Sequence, residues 1–142
     1  MGLKEIERVM LRYQKYQSKS TLEGANGKWF IRVIFGEQIN LNGLAEHMAK
    51  HNSGFSKGQI KGILTDMVDC IKELLVDGKT VKIDDLAIFS LGVSCKPSDT
   101  ANEATPDKIR SYNLNARGTG QLNAAERKQA IRMKEDNKYA IE

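Results

Sequence analysis

The sequence predicts an α+β fold that combines a helix pair with a β-sheet. Apolar residues recur every three or four positions between Asn40 and Asp77, which is typical of helices. The β-rich runs Thr80–Ile83 and Leu86–Val93 follow, and Asp84-Asp85 between them predicts a hairpin turn. The 142 residues are 40% hydrophobic and 28% charged, which suits one globular domain. The sequence has no apolar run long enough for a membrane span and none typical of a secretory signal. We therefore expect a cytoplasmic protein without membrane contact.

The N-terminal segment predicts a β-hairpin. Residues 3–17 fit either a helix or a strand by periodicity, whereas 28–35 are β-branched and aromatic and lie between glycines. Residues 18–27 are rich in Ser, Gly and Asn and predict the loop between them. We therefore predict a hairpin over residues 4–35, in an extension that occupies residues 1–39 and precedes a second unit at 40–142.

Two helices are predicted next. Asn40 or Asn42 can cap the first, which ends near Gly54. The second has the capping-box spacing of Ser56 and Gln59 and continues for about 20 residues, near 30 Å. Its apolar stripe is wider than the first helix alone would cover. The sequence therefore predicts that a second copy of the chain packs there.

The C-terminal third predicts a loop, a strand and a helix. Residues 96–107 are polar and hold both prolines of the chain, so they predict a loop or an extended arm. Polar and apolar residues alternate weakly over residues 109–116, which predicts a returning strand. Asn123 and Glu126 repeat the capping-box spacing before residues 124–138, which predicts a last, mostly charged helix.

The residues that could support catalysis are few. His47 and His51 have the spacing of a helical metal pair, but the sequence HMAKH lacks the glutamate of HExxH and a third ligand. Gly118-Thr-Gly120 lacks the remaining residues of a phosphate-binding loop, so a tight turn is the better interpretation. The cysteines are expected to be free thiols. We predict no enzyme, metal, cofactor or small-molecule substrate.

Residues 55–93 resemble the bacterial histone-like (HU) and integration host factor family of DNA-binding proteins. In that family a helix pair precedes Gly-x-x-Val-x-Ile/Leu and Gly-Phe-Gly-Thr-Phe; here Gly78, Val81, Ile83 and Phe89 match. Asp85, Ala87 and Ile88 replace the two glycines and the threonine of the second motif. The resemblance covers roughly residues 40–134. The N-terminal extension is similar to that of HU-like variants from Bacteroides-type bacteria.

The resemblance implies an intertwined homodimer with a helical base, a β-sheet saddle and two β-arms around duplex DNA. It implies binding to phosphates and the minor groove, largely without sequence preference, with bending or compaction of DNA in the nucleoid. The distribution of charge agrees with a phosphate-binding surface built from the two ends of the chain. Residues 1–38 carry a net charge of +3, residues 39–107 carry −3 and residues 108–142 carry +4. The candidate DNA-binding residues are Lys96, Lys108, Arg110, Arg117, Arg127, Lys128, Arg132 and Lys134.

The predicted arm departs from the family. The basic residues Lys96, Lys108 and Arg110 are balanced by three acidic ones, and neither proline lies in the Arg-Asn-Pro context of an intercalating tip. Phosphate contacts dominate affinity for DNA, so binding should be weaker than in a typical member. The alternative is an HU-like protein-interaction or assembly module, whose N-terminal hairpin adds an edge strand to a partner. A small hydrolase or nuclease would need a carboxylate or metal-ligand cluster, which the sequence lacks.

Overall fold

The protein is described from a computed structural model, which places residues 10–52, 54–123 and 131–141. The chain divides into two compact units. The first combines Met1–Gln38 with Lys128–Glu142, and the second is Ile39–Arg127. Within the described residues, no helix is long and apolar enough to cross a membrane.

The first unit contains the predicted hairpin. Strands β1 (Leu11–Gln17) and β2 (Trp29–Val33) pair antiparallel, with Tyr13 opposite Val33 and Gln17 opposite Trp29. The connecting turn closes through backbone hydrogen bonds from Gly27 to Ser18 and from Ser18 to Lys28. The strand alternative for residues 3–17 is therefore correct from Leu11 onward.

The prediction of a C-terminal helix over residues 124–138 is wrong where the structure describes this segment. Met133–Ile141 forms a strand, called β6 here, that pairs parallel with β1, so the sheet order is β2-β1-β6. The two partners are more than 100 residues apart in the chain. Pairing with the open edge of β1 satisfies the strand's backbone groups, and this long-range gain overrides local helix propensity. Residues 124–130 lie outside the described residues.

Both predicted helices of the second unit are confirmed. Helix α1 (Leu41–Ala49) begins at Asn40, whose side chain accepts a hydrogen bond from the Gly43 amide at 2.9 Å. Helix α2 (Lys57–Val76) begins at Ser56 with the complete capping box, because Ser56 Oγ accepts from the Gln59 amide and Gln59 Oε1 accepts from the Ser56 amide. These two reciprocal bonds satisfy amide groups that a helix start otherwise leaves open.

The second unit also contains the three-stranded sheet β3-β4-β5. Its strands are β3 (Val81–Ile83), β4 (Ala87–Cys95) and β5 (Ile109–Gly118), each antiparallel to its neighbour. Asp85 in the β3–β4 turn has φ of 63°, a left-handed conformation. It stands where the resembled family has glycine, and aspartate is one of the few other residues that tolerate this region.

The core of the second unit is small. Among the described residues, only Ala45, Ile60, Leu75 and Ala87 are buried hydrophobics. By contrast, α2 exposes an apolar stripe formed by Ile63, Met67, Cys70 and Leu74, with Ile63 at 60%. A helix of a soluble protein normally buries such a stripe, so this unit presents a large apolar surface for a further packing partner.

Candidate nucleic-acid interface

The sheet of the second unit has one apolar and one polar face. Directly opposite residues on antiparallel strands point to the same side, and successive residues alternate between sides. Ala87, Phe89, Leu91 and Val93 of β4 lie on the apolar side. The other side carries the residues that we call the polar sheet face. These are Lys82, Ile88, Ser90, Gly92, Ser94, Ser111, Asn113, Asn115 and Arg117.

The polar sheet face is positively charged and rich in hydrogen-bonding groups. Strands β3, β4 and β5 carry Lys82, Arg110 and Arg117 and no acidic residue. Lys82 pairs with Ile88, and Ile88 pairs with Arg117, so both cations lie in one row across three strands, roughly 10 Å apart. Both side chains are exposed. This arrangement suits contact with a phosphate backbone, to which basic and small polar side chains donate hydrogen bonds.

Side chains of neighbouring strands contact one another on this face. Asn113 donates a hydrogen bond from Nδ2 to Ser94 Oγ across the strands at 2.9 Å. A Cβ atom at Gly92 would lie 2.9 Å from Nδ2 of Asn115, closer than side chains normally approach. The Asn115 side chain therefore occupies the space beside Gly92, and a larger residue at position 92 would displace it.

Sequence reasoning missed most of the polar sheet face. It selected Arg117 but not Lys82, nor the serine and asparagine residues that alternate along β4 and β5. The available signal was the period of two in SYNLNAR (residues 111–117), where Ser111, Asn113 and Asn115 alternate with Tyr112, Leu114 and Ala116. Alternation of polar and apolar residues indicates a strand with one solvent-facing side.

The structure brings three predicted residues together at the end of the β4–β5 hairpin. The backbone amide of Lys96 donates to the carbonyl of Lys108 at 2.9 Å, so these lysines close the two strands. The strand register shifts here, since Ser94 pairs with Ser111 but Cys95 pairs with Ile109. Arg110 is thus the extra residue of a β-bulge, a feature that redirects a side chain at the end of a sheet. The Arg110 side chain is exposed.

The loop beyond this pair, residues 97–107, is compact rather than extended. It contains two short 3-10 helices, Ala101–Glu103 and Pro106–Lys108. Pro97 directly follows Lys96, and Pro106 begins the second 3-10 helix, so both prolines lie near the closing lysines rather than mid-loop. The middle of the loop is therefore polar and has no residue suited to insertion between base pairs.

Two of the four remaining predicted residues belong to the first unit, and the other two are not described by the structure. Arg127 and Lys128 are outside the described residues. Arg132 and Lys134 belong to the first unit, since the Arg132 carbonyl accepts from the Leu11 amide at 2.8 Å and Lys134 pairs with Arg12 in the sheet. The prediction that these two residues share a helix is wrong.

Two further sequence motifs have simple structural explanations. His47 and His51 lie with their Nε2 atoms 3.2 Å apart, and the described part of the chain holds no group of three potential metal ligands. Gly118-Thr119-Gly120 leads into a short 3-10 turn whose Gly120 packs closely against Asp85. A carboxylate at that position would repel a phosphate, so the tight-turn interpretation fits better than a phosphate loop.

The basic residue at the start of α2 is already paired. Lys57 Nζ lies 2.6 Å from Glu46 Oε1 and links α2 to α1. The hydrogen bond and charge of Lys57 lower the pKa of Glu46, with a smaller contribution from Lys50. This contact is exposed and serves to join the helices, which leaves the polar sheet face as the stronger candidate interface.

The comparisons with known proteins agree with this architecture. Residues 10–132 match the family model HU-HIG, described as an HU domain fused to a winged helix-turn-helix, immunoglobulin-like or glycine-rich motif. The chain belongs to this HU-like family. The resemblance inferred from residues 55–93 is thereby confirmed.

A solved structure shows the same fold at low sequence identity. It is a protein from Bacteroides vulgatus ATCC 8482, described provisionally as a bacterial DNA-binding protein. The TM-score is 0.68 at 12% identity, and the match covers 92% of this HU-like chain. It covers 50% of the Bacteroides chain, so this chain spans about half of that protein's length. No protein with a curated description matches the sequence.

Proposed function

We propose that this HU-like chain is a non-catalytic protein that binds duplex DNA as a homodimer, largely without sequence preference. The observation that carries the proposal is the polar sheet face, which presents the cations Lys82 and Arg117 and no acidic residue. DNA is a polyanion, and affinity that comes from neutralising phosphates is independent of sequence. Serine and asparagine on this face would donate hydrogen bonds to phosphate and sugar oxygens, and such contacts carry no sequence information.

The exposed apolar stripe on α2 supports the homodimer. Ile63, Met67, Cys70 and Leu74 are spaced by three or four residues and lie on one side of the helix. The apolar side of the sheet adds Leu91, Val93, Tyr112 and Leu114, which are all exposed. A second copy would cover both surfaces and would double the number of cations that face one DNA duplex.

The predicted arm residues fit a supporting role at the edge of this interface. Lys96, Lys108 and Arg110 lie together at the end of the β4–β5 hairpin and could follow the minor groove beside the sheet. The loop beyond them carries Asp99, Glu103 and Asp107 and lacks a central proline. We therefore expect bending to come from phosphate neutralisation rather than from an inserted wedge, and compaction of nucleoid DNA to be moderate.

The experiment is a titration of a fluorescent duplex of about 30 base pairs at low and near-physiological salt, with the solution mass recorded in parallel. Binding by a dimer, with affinity that falls log-linearly with salt and is weakened by Arg110→Glu or Lys108→Glu, supports the proposal. A well-folded dimer that does not bind at low salt refutes it.

The alternative, an HU-like assembly module with reduced DNA binding, rests on two observations. The loop acids cancel the charge of the three basic residues around them. Strand β2 is also an outer strand of its sheet in the described part of the chain, so its edge could pair with a strand from a partner. This function would be favoured if the dimer forms, fails to bind duplex DNA and captures a defined protein only when β2 is intact.

A further inference from the structure

The sheet of the first unit has a second surface that differs from the proposed duplex interface. Register places Gln14 opposite Arg32 and Tyr16 opposite Phe30 on one side of β1 and β2. In β6, Lys134 pairs with Arg12 and joins the same side. We call this set the aromatic face. Its members are Arg12, Gln14, Tyr16, Phe30, Arg32 and Lys134.

Two aromatic rings and a guanidinium form a continuous platform on this face. The ring centroids of Tyr16 and Phe30 are 5.9 Å apart with an interplanar angle of 31°. The Arg32 guanidinium lies over the Tyr16 ring, 5.1 Å from its centroid. Arg32 also donates from Nε and Nη2 to Gln14 Oε1 at 3.1 and 3.0 Å. These contacts hold the guanidinium and the rings in place, and Phe30 remains 44% exposed.

Basic residues outnumber acidic ones among the described side chains of this face. These are Arg12, Arg32 and Lys134 on the one hand and Asp136 on the other, whose Oδ2 lies 3.2 Å from Nη1 of Arg12. The opposite side of the sheet is mainly apolar, with Tyr13, Ile31 and Val33 in its rows and one Lys15–Glu135 ion pair. Among the described side chains, basic residues are thus concentrated on the side of the Tyr16–Phe30 pair, whereas Tyr13 and Trp29 lie on the opposite side.

We propose that the aromatic face binds single-stranded DNA. Unpaired bases stack on exposed rings and guanidinium planes, and their phosphates attract the cations around such a platform. A duplex hides its bases from a flat aromatic surface, so this ligand is distinct from that of the polar sheet face. The exposed Phe30 ring and the outer side of the Arg32 guanidinium, which itself lies over Tyr16, would accommodate about two successive bases.

The test uses the whole protein and a fluorescent dT15 oligonucleotide at near-physiological salt, where purely electrostatic contacts are weakened. Phe30→Leu keeps an apolar side chain but removes the ring, and it should weaken dT15 binding about 5- to 150-fold. Phe30→Tyr should retain binding. The duplex affinity of both variants should equal that of the wild type, whereas Arg110→Glu should weaken duplex binding and leave dT15 binding unchanged.

A matched lysine pair tests the charge of the face. Lys134 and Lys15 lie in neighbouring strands of one sheet but on opposite sides. Lys134→Gln should lower the salt slope for dT15 by about 0.7, whereas Lys15→Gln should leave it unchanged. Both lysine variants keep the two rings, so their comparison still tests the aromatic face if Phe30→Leu lowers the melting temperature.

Photocrosslinking gives a direct reading of the site. An oligonucleotide with 5-bromodeoxyuridine should crosslink to peptides that contain Tyr16 or Phe30. The proposal is overturned if the wild type does not bind dT15, if crosslinks map only to β4 or β5, or if Lys15→Gln and Lys134→Gln lose binding equally. Stronger binding to rU15 than to dT15 would overturn the assignment to DNA. Loss of duplex binding with intact dT15 binding would refute only the proposed function.

Discussion

Arg117 offers a quantitative test of both the interface and the dimer. Arg117 is exposed on the polar sheet face, in one row with Ile88 and Lys82. A homodimer presents two copies, so Arg117→Gln should remove two phosphate contacts from each complex. The logarithm of affinity changes with the logarithm of salt concentration with a slope of about −0.9 per contact, so the slope should become shallower by about 1.8. Between 50 and 200 mM salt, wild-type affinity should fall about 12-fold more than that of the variant.

The assay is fluorescence anisotropy with a duplex of about 30 base pairs at four or more salt concentrations. Lys72→Gln is the matched control, because Lys72 is exposed on α2 and lies outside the polar sheet face. It should leave the slope unchanged. A change in the salt slope of only about 0.9 for Arg117→Gln would contradict the symmetric dimer, because it would mean that only one copy of Arg117 contacts DNA. An unchanged slope would refute the polar sheet face as the interface.

Four further substitutions test the fold and the assembly. Ile63→Asp should raise the dissociation constant of the dimer, measured by sedimentation, about 100-fold or more, because two buried isoleucines contribute about 3 kcal/mol or more. An unchanged dimer would exclude the α2 stripe as the dimer interface. Ser56→Ala should lower the free energy of unfolding by about 1 kcal/mol in urea melts, and no loss would show that the cap is unimportant. Gly118→Ala should cost about 1–3 kcal/mol because its Cβ would lie 2.2 Å from the Leu122 carbonyl oxygen; wild-type stability would contradict this crowding. Glu46→Gln should lower the melting temperature slightly at neutral pH, and the difference from wild type should vanish as pH falls below 4.5. The reason is that a carboxyl group whose pKa is lowered in the folded state stabilises the fold only while it is ionised. A difference in melting temperature that persists in acid would rule out the Lys57 contact as its cause.

The helices of this chain could be predicted from the sequence because their signals are local. Asn40, Ser56 and Gln59 are capping residues within one turn of the groups that they bind. The apolar spacing along α2 also indicated correctly that a surface would remain after α1 was placed, and Ile63 is indeed 60% exposed. The family could be recognised from Gly78, Val81 and Phe89, because these residues lie in one short segment.

The candidate site could be predicted only in part. Lys96, Lys108 and Arg110 were selected as basic residues near a loop, but their arrangement depends on the pairing of β4 with β5. The bulge at Arg110 arises from a one-residue shift in register, which no local composition specifies. Lys82 was overlooked because it becomes a neighbour of Arg117 only through Ile88, on the strand between them.

The sequence by itself determined where α1 and α2 begin, where turns lie and which residues alternate, since these features depend on contacts within a few positions. Only the tertiary structure decided that Met133–Ile141 is a strand beside β1 and that Lys134 shares a face with Arg12. The free energy of a strand comes from backbone pairing with a distant partner and from the side chains beside it. A charged segment with helical spacing can therefore become a strand wherever the fold supplies an open edge.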